Sequence, residues 1–230
     1  MTNRKNQKNM TAQEWNDFID AVNQTHGIGI PPPPYRTFVK IHVNAMSMAG
    51  MAWSVHTMPS MGVIGKNFLS WHRWFLVQFE KRLQVVHPNV FIPYWNAMVD
   101  RAIPPQLATP ALLSSWGVQR GVFDASQIST NADLTAINSI ATFTTFQNTL
   151  EGAIHGGVHM AVGGDMAGNS SPTDPLFWLH HCHIDRIWAT WQKTHNSNPS
   201  NMNEVLKPSP MFGKKVSQVQ NIQTLGYKYI

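Results

Sequence analysis

The 230-residue chain has few charges and a single cysteine, Cys182. Charged residues make up 13% of it, against roughly 25% in average domains. One cysteine excludes an intrachain disulfide, so cysteine usage does not fix the compartment. No apolar run reaches the ~18 residues of a membrane span, and the polar start MTNRKNQKNM is not followed by the apolar stretch of a secretion signal. We therefore expect no membrane association and a cytoplasmic location by default, with export in company with a partner as the alternative.

The net charge is +5, and several of the basic residues lie near the two ends of the chain. No dense basic run carries interleaved aromatic residues, the pattern typical of a nucleic-acid surface. We therefore expect no nucleic-acid partner. The residues in excess are nine Trp and twelve Met, which suit a large, irregular and mostly buried interior.

Apolar periodicity predicts a mainly α fold with long irregular loops and little β structure. Residues 1–10 are predicted to be a flexible lead and residues 11–230 a single domain. A capping box, Thr11 to Glu14, begins the first helix. Further helices are predicted from Tyr35 to about residue 49, from Phe68 to Val86, from Thr142 to His159 and from Asp174 to about His195.

Two stretches have no helical period. Prolines 31–34 predict an extended, rigid entry into the second helix, with a polyproline ligand for a partner as the alternative. Residues 96–135 are rich in Pro and Gly, so we expect loops and short turns there, with a small hairpin as a further option.

Five of the eleven histidines lie between residues 151 and 188. His155 and His159 are four residues apart, and this spacing places both side chains on one helix face. His42 and His72 fall on the apolar faces of two earlier helices, and His56 lies in the loop between them. Imidazoles that converge from several helices suit zinc, copper, iron or nickel.

Carboxylates are scarce where a di-iron bundle would need them. The first 200 residues hold only three Glu, and none stands in the Glu-x-x-His pattern of di-iron helices. A zinc hydrolase with one three-histidine site would leave three inward histidines unexplained. The composition therefore favours a soft, all-histidine metal centre, with a zinc hydrolase and a copper-storage protein as alternatives.

Several motifs resemble those of the type-3 copper family, which comprises tyrosinases, catechol oxidases and haemocyanin-like domains. Residues 174–185, DPLFWLHHCHID, are similar to the family's second copper motif, and residues 68–80, FLSWHRWFLVQFE, to most of its first. The His155-x-x-x-His159 pair and residues 225–229, LGYKY, also fit. The resemblance covers roughly residues 35–230 and implies that residues 11–230 are a tyrosinase-like catalytic domain.

The resemblance implies a four-helix bundle holding a dinuclear copper site. One copper ion would bind His42, His56 and His72, and the other would bind the three histidines His155, His159 and His181. The implied partners are dioxygen, a phenolic small-molecule substrate and a copper-delivery helper protein. The implied reaction is oxidation of o-diphenols to o-quinones, with hydroxylation of monophenols as an added activity. An o-aminophenol oxidase and a haemocyanin-like dioxygen-binding protein are the alternatives.

The sequence departs from the family pattern at two positions. His56 lies farther from Phe68 than the corresponding family ligand does. Many tyrosinases carry Asn directly after the ligand that matches His155, where this chain has Gly156. In the family that Asn and a Glu, matched here by Glu151, are thought to orient a water that deprotonates monophenols. The glycine therefore favours diphenol oxidation, with Glu151 and Gly156 as the candidate catalytic positions.

Three more residues are expected to support the ligands. Phe177 should pack beside the coppers, Asp185 should accept from a ligand imidazole or pair with Arg186, and Glu80 should be a buried acceptor or pair with Arg73 or Lys81. His180 and His183 face away from His181 on a helix, so we expect them to form hydrogen bonds without sharing its copper. Cys182 is expected to be a small buried residue.

Overall fold

Helices carry most of this chain, as predicted, in the computed structural model, which describes residues 1–27 and 34–230. The α-helices in that part are α1 Ala12–His26, α2 Tyr35–Ala45, α3 Phe68–Gln84, α4 Pro110–Trp116, α5 Asn131–Asn138, α6 Phe143–Thr149, α7 Gly156–Val162 and α8 Leu176–Trp191. A π-helical turn, Leu150–His155, joins α6 to α7. The strands β1 Thr2–Arg4 and β2 Tyr227–Tyr229 form a two-stranded parallel sheet.

The ends of α1 and α2 follow from local sequence. Thr11 Oγ1 accepts from Glu14 N at 3.2 Å and the Glu14 carboxylate accepts from Thr11 N at 2.8 Å, which confirms the capping box. Most of the proline block at 31–34 lies outside the described residues, and Pro34 has extended backbone. α2 ends at Ala45, earlier than predicted, and 3₁₀ turns follow at Met48–Trp53 and Pro59–Met61.

α3 and α8 are buried around most of their circumference, and each packs against the other. Helices buried on nearly every side lie inside a core, and buried charges such as Arg73 and Glu80 are paired there. The rings of Phe79 and Trp178 stack with centroids 3.8 Å apart between them. α2 flanks this pair on one side, and the π turn with α7 contacts α8 on the other. These helices form the bundle that holds the histidines.

The prediction of a flexible lead at residues 1–10 is wrong. β1 pairs with β2 in register Thr2 to Tyr227, and Arg4 is fully buried. The Arg4 guanidinium bonds both carboxylate oxygens of Glu80, at 2.9 and 3.2 Å, and lies 3.6 Å from the Tyr227 ring centroid. A charged side chain tolerates burial when it is paired in this way. Because Glu80 is 76 residues away, local composition could not reveal the pairing.

Residues 96–135 are more helical than predicted, with α4, part of α5 and short 3₁₀ turns. No hairpin forms there, and the pairing of β1 with β2 is the one sheet within residues 1–27 and 34–230. In the same part of the chain, no helix combines the length and hydropathy required to cross a membrane.

Candidate metal centre

The first histidine triad joins two regular helices to an irregular segment. His42 comes from α2, His72 from α3, and His56 from the 3₁₀-rich stretch between them. One ligand atom from each lies within 4.8 Å of the others. All three Nε2 atoms are buried and have no hydrogen-bond partner. Unpaired buried nitrogens are costly, so their convergence fits a metal ion.

The Nδ1 atoms of this triad are already engaged. His42 Nδ1 donates to Asn169 O and His72 Nδ1 to Phe68 O, both at 2.8 Å. His56 Nδ1 lies 3.4 Å from the Glu151 carboxylate instead. A proton held on Nδ1 leaves the lone pair on Nε2, which is the form that binds a metal.

The π turn before α7 positions two histidines of the second triad. His155 Nδ1 donates to Glu151 O at 3.0 Å, and His159 Nδ1 donates to Met166 O at 2.6 Å. Gly152 has a ψ of −110° inside the turn and interrupts the regular helix. π-helical turns are frequent at functional sites.

Two consecutive histidines of α8 approach this second pair. His180 has a ligand atom within 4.8 Å of those of His155 and His159, so it lies nearer the second triad than predicted. Its Nε2 donates to His155 O at 3.1 Å, and its Nδ1 has no partner. His181 Nε2 lies 3.3 Å from His159 Nε2. Both reach the site because α8 packs directly on the π turn.

Burial disfavours the protonated form of six histidines at the two triads. Burial lowers the pKa of His42, His72, His155, His180 and His181 well below the ordinary value, and the neighbouring histidines lower it further. For His159, burial lowers the pKa to about 4. Because the desolvated ring disfavours a proton, the lone pairs stay available for a metal cation.

A cavity of about 260 Å³ opens onto both triads. Its walls are formed by the residues His42, Met46, His56, His155, Gly156, His159, Met160, Met166, Ala167, Gly168, Asn169 and Ser171. Met160 is 59% exposed, so the cavity reaches the surface beside it. At the inner side, the Phe177 ring lies 4.0 Å from the His181 ring and 5.1 Å from the His42 ring, and so packs beside the candidate ligands.

Asp185 does not support a ligand imidazole and does not pair with Arg186, so both predictions for it are wrong. It accepts from Arg73 Nε at 2.5 Å and from the hydroxyls of Tyr227 and Tyr229 at 2.6 and 2.5 Å. Asp185 is one turn beyond His181 along α8, level with β2. The Arg186 guanidinium instead lies 4.6 Å from the Tyr94 ring centroid.

Glu80 is a buried acceptor, but it does not serve the metal histidines. Its hydrogen bonds within the described residues come from Arg4 and Ile92 N. Eight residues separate it from His72, roughly 12 Å along α3 at about 1.5 Å per residue. Neither Arg73 nor Lys81 is its ion-pair partner.

Glu151 lies beside the first triad and has partners that the sequence did not indicate. Its carboxylate accepts from Thr57 N and from Thr57 Oγ1, each at 2.8 Å, besides lying near His56. Gly156 lines the cavity, and a Cβ there would meet only Glu151 O, at 3.9 Å.

Main-chain carbonyls at Phe68, Glu151, Met166 and Asn169 orient four of the histidines. Since every residue has a carbonyl, no sequence signal could identify these four. Cys182 is buried, as expected, and its thiol donates to Ile92 O at 3.3 Å. His183 is buried against Tyr94, and neither ring nitrogen has a hydrogen-bond partner.

A family model described as the common central domain of tyrosinase matches residues 32–132 and 116–194. A tyrosinase from Streptomyces antibioticus is 33% identical over 90% of this chain and 93% of its own length. A tyrosinase from Streptomyces lincolnensis is 34% identical, covering 86% and 85%. Grixazone synthase from Streptomyces griseus is 28% identical over 85% of this chain and 86% of its own.

Solved structures share the fold. A functional unit of octopus hemocyanin superposes with a TM-score of 0.75 at 21% identity, covering 100% of this chain and 68% of that one. The G292N mutant of a polyphenol oxidase from Thermothelomyces thermophila gives 0.72 at 18% identity, covering 100% and 89%. Together with two histidine triads that fit two copper ions, the matches establish that the chain belongs to the tyrosinase family of type-3 copper proteins.

Proposed function

We propose that this protein is a dicopper oxidase that uses dioxygen to oxidise o-diphenols to o-quinones. The observation that carries the proposal is the cavity of about 260 Å³, which runs from the surface at Met160 to histidines of both triads. That volume equals eight to nine waters at about 30 Å³ each, and it suits one substituted aromatic ring. A substrate in it would lie against the imidazoles.

The copper ions, when bound, supply the redox chemistry and the dioxygen-binding positions. His42, His56 and His72 would hold one ion, and His155, His159 and His181 the other. His181 is favoured over His180 because its Nε2 lies 3.3 Å from His159 Nε2. Two nitrogens at that separation can both bind one ion at about 2.0–2.1 Å. His180 Nε2 is already used by His155 O, so only its unpartnered Nδ1 is left to bind an ion.

The remaining residues orient these groups and exclude water. Main-chain carbonyls hold the Nδ1 protons and so fix ring orientation. Phe177 packs between the rings of His42 and His181. The thioethers of Met46 and Met166 line the cavity with apolar surface, which suits the face of a phenol ring.

Gly156 and Glu151 support diphenols as the preferred substrates. Oxidation of a diphenol removes two electrons and two protons, whereas a monophenol must lose its proton and gain an oxygen atom. Gly156 has no side-chain amide that could orient a water. The Glu151 carboxylate already accepts two hydrogen bonds from Thr57, which reduces its capacity to act on a bound water.

An o-aminophenol is the second candidate substrate, since its amine and hydroxyl match the donors of a catechol. Grixazone synthase, to which this chain is similar, is a relative that is not named as a tyrosinase. The helper protein that delivers copper stays a prediction.

Oxygen uptake by copper-loaded protein tests the proposal, with catechol, o-aminophenol and phenol assayed in parallel. We expect two coppers per chain and fastest turnover of catechol. His87→Ala is the matched histidine control, because His87 pairs with Asp20 away from the cavity and should leave copper content unchanged. Reversible dioxygen binding without turnover would support the haemocyanin-like alternative, and a single bound zinc would contradict a dicopper centre.

A further inference from the structure

Residues 163–174, here called the wall segment, orient one histidine of each triad. The carbonyl of Met166 accepts from His159 Nδ1 at 2.6 Å, and that of Asn169 accepts from His42 Nδ1 at 2.8 Å. The same segment forms one wall of the cavity at Ala167 and Gly168. A shift of this segment would therefore turn a ring in both triads at once.

The first end of the wall segment is bound to Gln119. Gln119 N donates to Asp165 Oδ2 at 2.7 Å, and Asp165 N donates to Gln119 O at 2.8 Å. Gly164 has a φ of +57°, and a Cβ there would lie 2.2 Å from Gln119 O. Only glycine permits this close approach of the two backbones.

The second end is bound to the next residue, Arg120. Its guanidinium donates to the two carboxylate oxygens of Asp174 at 2.6 and 2.8 Å. The Arg120 side chain is 8% exposed and that of Asp174 is fully buried, so this paired geometry is well shielded. Asp174 Oδ1 also accepts from Leu176 N at 2.9 Å, at the start of α8. Arg120 thereby links the wall segment to the helix that carries His181.

We propose that Gln119 and Arg120 form a positioning clamp for the two-copper centre. Two adjacent residues hold both ends of the wall segment, and the carbonyls between those ends hold His159 and His42 in the orientation that copper requires. The clamp rests on the copper centre of the proposed function and is independent of which phenol is oxidised.

Asp165→Ala tests the clamp at its first end, with copper release to a chelator as the readout. We expect release about 10-fold faster or more, in the range of about 10–100-fold seen when groups that orient metal ligands are lost. Asp165→Asn should restore slow release, because its amide oxygen still accepts from Gln119 N. Asp133→Ala is the matched control: Asp133 also accepts a main-chain hydrogen bond, from Thr130 at the start of α5.

Arg120→Lys tests the second end, because lysine keeps the charge and loses the two parallel hydrogen bonds. We expect faster copper release and a KM for catechol that rises more than kcat falls, since the cavity wall moves. Asp165→Ala stays decisive if the lysine variant does not fold.

Copper retention in both clamp variants equal to that of Asp133→Ala would overturn the proposal. Copper release is measured without any phenol. Fast release from Asp165→Ala in a protein that oxidises no phenol would leave the clamp standing and reject the proposed function.

Discussion

In the first triad, His42 and His72 lie on separate helices and His56 lies on irregular chain. In the second triad, His155 ends the π turn and His159 follows it four residues later in α7. The ring of His56 is also the one oriented by a carboxylate, that of Glu151, while main-chain carbonyls orient those of His42, His72, His155 and His159. Glu151 belongs to the second half of the chain. The orientation of His56 in the first triad therefore depends on Glu151, a residue next to the second triad in the chain.

His56→Ala should have the largest effect. Removing its Nε2 leaves the first copper with His42 and His72 alone, so copper content should fall to about one per chain, and diphenol oxidation should be abolished. Metal analysis and oxygen uptake on the purified variant measure both. Full copper loading with normal turnover would remove His56 from the centre and leave it a loop histidine.

Substitution of each of the two α8 histidines, His180 and His181, separates a copper ligand from a residue that only orients the ligands of the second triad. His181→Ala should lower copper to about one per chain. His180→Ala should keep two coppers and reduce kcat by about 10–100-fold, because His180 orients the turn through His155 O. Copper analysis of the two variants side by side decides between them, and the opposite pattern would assign the copper to His180.

Glu151→Ala should weaken the first triad more than the second. The His56 ring loses its acceptor and Thr57 loses two hydrogen bonds, whereas His155 keeps the main-chain oxygen of residue 151. We expect copper affinity of the first site to fall by about 10–100-fold. Titration with a chelator should show one weakened and one nearly unchanged site, and two equally weakened sites would reject the dependence of the first triad on Glu151.

Gly156→Asn should have the smallest effect. A Cβ there meets only Glu151 O, at 3.9 Å, so the variant should fold and bind two coppers. An amide beside His155 could orient a water, and the ratio of phenol to catechol turnover should rise. The rise should stay below the roughly 10²–10⁴-fold of a fully positioned acid or base, because the Glu151 carboxylate already accepts two hydrogen bonds from Thr57. An unchanged ratio would show that position 156 does not set substrate preference.

The sequence predicted the helices and the candidate histidine ligands far better than it predicted the contacts that hold them in place. The capping box of α1 and the start of α3 depend on neighbours in sequence, so motif and periodicity located them. Asp185 shows the limit of such reasoning. It lies one turn after His181 on α8, but its partners Arg73 and Tyr227 come from distant elements that spacing cannot place.

Arg4 and the π turn show two further limits. Arg4 belongs to a polar segment, yet its pairing with Glu80 makes it part of the interior. The turn at Leu150–His155 reads as continuous helix in sequence, because a π turn has no distinct periodicity over six residues. Its geometry decides where His155 points.

The proposed reaction passes the electrons of diphenols to dioxygen through two coppers held by the two triads. Its most direct test is the ratio of dioxygen consumed to quinone formed, measured with catechol in a protein that holds two coppers per chain. We predict one dioxygen for every two quinones, with water as the other product. Copper-loaded protein that forms no quinone, or that releases one hydrogen peroxide for each quinone, would contradict the account.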